Sequence, residues 1–188
     1  MIAVMKQEKK RIHPHKFTLW IALASIVMMF TGFTSAYIIK RNLANWVTFD
    51  LPKIFWYSTA VIIISSITII ISRNYFRQRA MIQYRLWLAI TLVLGIAFVF
   101  MQYLGFTQLW RSGVTLNRNV SFSFLYLIVG LHALHVVGGI IALIIVIIKA
   151  YSVKVKNYNI VPVDLINTYW HFVDLLWIYL LIFLSMIR

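Results

Sequence analysis

Tyr169-Trp170-His171-Phe172-Val173-Asp174 places an imidazole and a carboxyl three residues apart inside one long apolar segment. An ionised aspartate near the middle of a bilayer costs at least about 3 kcal/mol on insertion scales, so Asp174 must be neutralised, solvated or paired. His171 lies on the same side of a helix, a neighbour but not an ideal partner. A second helix with the missing partner is expected, and His132 and His135, also three apart, mark one. Three histidines suffice on paper for zinc or non-haem iron, and a carboxylate strengthens the case for iron. A bis-histidine haem would need axial ligands facing one another. A proton relay across the membrane would need carboxylates reaching both faces, and only Asp174 is deep. The simpler solution is a structural polar cluster of His132, His135, His171 and Asp174 across two packed helices, with no catalytic, cofactor or metal site in this chain.

The elements that must hold these residues follow from composition. Of 188 residues, 62% are hydrophobic and 12% charged, which indicates a membrane protein. Five segments are long enough to cross a hydrocarbon core that needs about 20 helical residues. The expectation is all-α: a polytopic bundle of five transmembrane helices at about 17–39, 54–72, 85–107, 121–148 and 163–187, in a single domain over 1–188 with a basic tail at 1–16. Counting 1.5 Å per residue from the end shared by the fourth and fifth helices, His135 lies about 20 Å deep, Asp174 about 18 Å and His171 about 13 Å. Overlapping depths imply that these two helices pack together, helped by Gly130, Gly138 and Gly139.

A net charge of +14 would suggest nucleic acid in a soluble chain. Here its distribution excludes that partner. Lys6, Lys9, Lys10, Arg11, Lys16, Arg73, Arg77, Arg79, Arg85, Lys149, Lys154 and Lys156 share one side, against Lys40, Arg41, Lys53, Arg111, Arg118 and Arg188 on the other. The positive-inside rule therefore puts the N-terminus in the cytoplasm and the C-terminus outside. Basic residues at that face, Arg73, Arg77 and Arg79 above all, are candidate contacts for anionic head groups. Asp164, Tyr169 and Trp170 are further candidates for lipid or interface contacts. Asp164 also stands at the favourable end of the fifth helix's dipole.

The absence of cysteine removes disulfides, thiolate metal sites, iron-sulfur ligation and a dicopper thiolate centre. The first apolar run is longer than the roughly 7 to 15 residues of a cleavable signal, and it is expected to stay as a helix. His13-Pro14-His15 reads as solvated tail. Gly32 and Ala36 offer small-xxx-small spacing for a neighbour's approach. The Ile-rich second helix reads as a lipid-facing span, and Pro52 suits the start of that helix. Gln102 in the third can bond to another helix. A transporter would show broken helices or paired halves, unlike five mostly unbroken spans. An intramembrane serine protease would want a placed serine, and Ser58, Ser65 and Ser66 lack a glycine-framed motif.

At Tyr169 to Trp177 the chain resembles the signature of subunit III of the haem-copper oxidases, the cytochrome c and quinol oxidase family. His132-Ala133-Leu134-His135-Val136-Val137-Gly138-Gly139 is similar to that family's His-Gly-Leu-His-Val run followed by glycine, with Ala133 in the glycine position. Trp20, the run Ser25 to Phe30 and Ala36-Tyr37 are similar to the family's early helix. The likeness covers nearly the whole chain and is to the short, five-helix bacterial form. It implies a non-catalytic subunit of a respiratory terminal oxidase in the bacterial inner membrane. That subunit packs beside catalytic subunit I and other respiratory subunits, holds phospholipid, and supports oxygen reduction coupled to proton pumping. Haem and copper are implied in partner chains and none in this one. Asp164 falls where the family commonly has a glutamate, and Ile26 where many members have a membrane-embedded glutamate, so no carboxylate role carries over to the first helix. An auxiliary subunit of a quinol oxidase or nitric oxide reductase is the alternative, and an iron-dependent membrane oxygenase a more distant one.

Overall fold

The computed structural model describes residues 14–41, 51–113, 120–152 and 160–187. Five helices run through them: α1 (Pro14–Arg41), α2 (Ile54–Arg77), α3 (Met81–Arg111), α4 (Val120–Tyr151) and α5 (Val161–Met186). Each is long and apolar enough to cross a membrane, and no strand occurs among the described residues. α1 to α4 run several residues beyond the apolar limits expected from sequence, because Arg77, Arg111 and Lys149 continue the helices into the interface, where long cationic side chains can remain solvated. The basic tail up to position 13, the link at 42–50 and much of the loop after α3 lie outside the described residues.

A near-seven-residue pattern governs burial. α2 buries Phe55, Ser58, Ile62, Ser65, Ile69 and Ser72, and α3 buries Tyr84, Leu88, Thr91, Gly95, Phe98, Gln102, Gly105 and Leu109, in alternating steps of three and four. Two helices with that repeat lie side by side with a shallow left-handed crossing. The turn between them holds only Gln78, Arg79 and Ala80. Arg79 adopts φ 59°, Ala80 N–H donates to the Tyr75 carbonyl at 3.0 Å, and Arg79 N–H donates to that of Phe76 at 3.1 Å. These are the two bonds of a Schellman ending, which satisfies the last carbonyls of α2.

α5 is the most enclosed element and packs on α1, α2 and α4, while α3 packs on α2 and α4. In lipid no hydrophobic force draws apolar helices together, so close packing and interhelical hydrogen bonds must do so. Two residues show how. A Cβ at Gly95 would stand 2.7 Å from Cη2 of Trp170, and one at Gly139 would stand 3.1 Å from its Cζ3. The indole of α5 is thus clasped between bare stretches of α3 and α4. Gly105 similarly admits Phe55. Gly32 and Gly130 have nothing within 4 Å of a built Cβ, so the expected close approach at those two does not occur.

The lipid-facing reading of α2 is also corrected. Ile63, Ile64, Ile67 and Ile70 do face outward, but the opposite face carries its buried serines and makes the longest seam in the bundle. Isoleucine outnumbers serine on α2, and hydropathy averaged around the helix hides a narrow polar stripe.

Candidate functional site

Away from its basic end, five links between side chains tie α2 to its neighbours among the described residues. Gln102 Nε2 donates to Ser58 Oγ at 2.9 Å, and Thr68 and Thr91 hydroxyls pair at 2.9 Å, both between α2 and α3. Trp177 Nε1 donates to Thr59 Oγ1 at 2.9 Å, and Trp170 Nε1 to Ser65 Oγ at 3.0 Å. The fifth link joins Ser66 to both members of the ionisable pair on α5. Ser66 Oγ donates to Asp174 Oδ2 and lies 3.0 Å from His171 Nδ1. A hydroxyl has one hydrogen; with that hydrogen on Asp174, Ser66 can only accept from the imidazole, which places a proton on Nδ1 of His171.

The partner of Asp174 therefore comes from α2. His132 on α4 is fully buried with neither ring nitrogen hydrogen-bonded; it stacks on Trp177 at 5.2 Å between centroids and meets Phe98 edge-on. His135 Nδ1 pairs with the Leu131 carbonyl of its own helix at 2.7 Å, and the His135 carbonyl accepts from Tyr169 Oη at 2.9 Å. The α4 histidines thus meet α5 through rings and backbone, while His171 and Asp174 turn toward α2. One helix cannot present residues 132 and 135 to the same spot that α5 offers to α2, because that face of α5 is already filled by α2. Among the described residues no three His, Cys, Asp or Glu side chains come together to hold a metal.

As a partner for Asp174, Ser66 was not among the residues expected from sequence. The signal was there: Ser58, Ser65 and Ser72 repeat every seven residues, and Ser66 adjoins that stripe. Its geometry differs from a serine nucleophile's, in which the imidazole stands between hydroxyl and carboxylate. Here the hydroxyl stands between the other two.

Closer to the basic end, Asp164 receives Lys16 Nζ at 3.1 Å and Arg73 Nε at 2.7 Å, joining α1, α2 and α5. Arg85 Nε donates to the Ala150 carbonyl at 2.8 Å and its guanidinium lies over the Tyr151 ring, joining α3 to α4. Of the residues proposed for lipid or interface contact, Arg77 and Arg79 are exposed, Asp164 and Arg73 are engaged with each other, and Tyr169 binds α4. Trp170 is 1% exposed and belongs to the interior.

The chain has relatives among known proteins. It matches the family described as Cytochrome c oxidase subunit III over residues 16–187. The chain belongs to that family. A probable cytochrome c oxidase subunit 3 from Nocardia farcinica is 31% identical over 163 residues, covering 84% of this chain and 80% of the relative. One from Mycobacterium leprae is 31% identical over 170 residues, covering 88% and 84%. The cytochrome bo(3) ubiquinol oxidase subunit 3 of Buchnera aphidicola subsp. Schizaphis graminum is 28% identical over 170 residues, covering 86% and 88%. Subunit III relatives are thus parts of terminal oxidases, and the family resemblance at the α4 and α5 motifs extends over nearly the whole chain. Like them, this is a multi-pass membrane subunit of a respiratory oxidase.

Proposed function

We propose that this chain is the non-catalytic subunit III of a haem-copper terminal oxidase, packed in the bacterial inner membrane against catalytic subunit I. It braces a partner that reduces oxygen and pumps protons, and it holds phospholipid against its outer faces. The observation that carries the reading is the family match across 16–187, on a bundle whose deep polar side chains are spent largely on tying helices together. His132, His135, His171 and Asp174 serve as structural groups: two rings on the α4 side of α5, and an acid and imidazole on the α2 side. Haem and copper belong to the partner chains in this reading. The N-terminus lies in the cytoplasm, following the basic end. Cytochrome c is the electron donor of the favoured form; a quinol oxidase is the second reading, supported by the ubiquinol oxidase relatives.

The test is to tag the chain, extract it with a mild detergent and examine what accompanies it. The proposal expects a large catalytic subunit, haem absorbance and copper, all lost when this chain is separated and washed. Haem or stoichiometric transition metal retained by the isolated chain would overturn it. Oxidation of reduced cytochrome c or of a quinol by the intact complex separates the two readings.

A further inference from the structure

Bracing does not account for the order of polar groups along the α2–α5 seam. Residues 164, 167, 171 and 174 follow one another at steps of three and four on α5, and span about 15 Å of helix. Asp164, at the basic end, is paired with Arg73. Asn167 Oδ1, between them in sequence, is buried without a hydrogen-bond partner. His171 is half-buried and Asp174 is 4% exposed, with its Oδ1 also unpartnered. One turn beyond Asp174 the way is closed by Trp177, packed on Phe55, Phe98 and His132.

We propose that this seam is a blind-ended proton-exchange file, open only at the basic end of the bundle, in which Asp174 takes up and returns a proton through Ser66 and His171. Starting from imidazolium and carboxylate, the His171 Nδ1 proton passes to Ser66 Oγ while the Ser66 hydrogen passes to Asp174 Oδ2. The products are a neutral imidazole protonated at Nε2, an unchanged hydroxyl and a carboxylic acid. One proton has moved and no electron has. The proton returns by the same two transfers in reverse, which restore the carboxylate and the Ser66 hydrogen bond to it.

The charged and titratable groups around this pair are few. α1 contributes Lys16, held on Asp164; α2 contributes Arg73; α4 contributes His132, against Trp177, and His135, bonded within its own helix. The buried face of α3 offers Tyr84 near the basic end and no charged side chain. Among the described residues Ser66 is thus the one hydroxyl bonded to both groups, and the relay has a single removable link. The inference stands apart from the choice of electron donor and from the identity of the partner subunits.

The experiment is infrared difference spectroscopy on the full-length chain in its purified complex, reading the carboxylic C=O stretch after a pH jump and its shift on transfer to heavy water. A band absent from Asp174→Asn is expected. In Ser66→Ala its deuterium shift should slow about tenfold, the cost of one lost hydrogen-bonded step. Ser66→Thr, which keeps the hydroxyl, should restore the rate, whereas a purely structural serine would leave the exchange rate of a folded Ser66→Ala complex untouched. A spectrum in which Asp174→Asn removes no band, or exchange in Ser66→Ala as fast as in the unaltered protein, overturns the proposal.

Discussion

Gly95→Ala is the sharpest test of how α5 is held. The added methyl would stand 2.7 Å from Cη2 and 3.0 Å from Cζ2 of Trp170, where ordinary carbon contacts lie at about 3.5–4.0 Å. The ring cannot retreat freely, because a Cβ at Gly139 would lie only 3.1–3.2 Å from its other edge and its Nε1 is bonded to Ser65. Overpacking of this kind costs about 1–3 kcal/mol. Displacing the indole from Ser65 removes an interhelical bond worth about 0.6–1.7 kcal/mol. Alanine's better helix propensity returns about 1 kcal/mol. The net expectation is a loss of about 2 kcal/mol, measured by reversible unfolding of the purified chain in mixed micelles. Gly32→Ala and Gly130→Ala, where a methyl meets nothing within 4 Å, should be neutral or stabilising by up to about 1 kcal/mol. Trp170→Phe in the Gly95→Ala background should recover part of the loss, giving a coupling of at least about 1 kcal/mol in a double-mutant cycle. Equal stability of Gly95→Ala and Gly32→Ala would refute the clasp.

Asp174→Asn should assemble better than Asp174→Leu, since the amide still accepts from Ser66 while leucine leaves Ser66 and His171 without it; equal yields of folded bundle would count against the pairing. His132→Leu should leave stability unchanged or raise it by about 1 kcal/mol, because relief of two unpartnered ring nitrogens outweighs a lost stack, and a fall of more than about 2 kcal/mol in chemical denaturation would contradict this. Gln102→Leu should cost about 1 kcal/mol through loss of the Ser58 bond, read in the same unfolding assay, with Ser58→Ala adding little further. Lys16→Gln should change stability by less than about 0.5 kcal/mol, its side chain being 42% exposed, whereas Asp164→Leu strands Arg73 and should cost more.

The spans were legible because stretches without charge and about 20 residues long admit few other readings. So was the special standing of Asp174, through the cost of its burial, and the bonding of Gln102, through its polarity in an apolar run. The identity of the acid's partner was not legible. Depth calculated from helix rise ranks residues along the membrane normal but says nothing about azimuth, and counted from the expected end of the second span at 72 it puts Ser66 only about 9 Å deep, because the helix in fact continues to Arg77. Azimuth was encoded in α2 by the seven-residue serine repeat, which a reading weighted to total hydropathy passes over. Gly32 and Gly139 look alike as letters; only the arrival of Trp170 separates them.

The serine face of α2 also bears on biogenesis. Of the five spans α5 has the lowest mean hydropathy, 1.5, and it bears a carboxyl group partway along, so it leaves the translocon for lipid less readily than its neighbours. By the time it emerges from the ribosome, α2 and α3 have been made and their three-residue turn lets them zip at once. The hydroxyls of α2 then offer the incoming segment a ready berth. Disruption of that berth should therefore register first as failed membrane integration of α5 in newly made chains, before any defect in the mature complex.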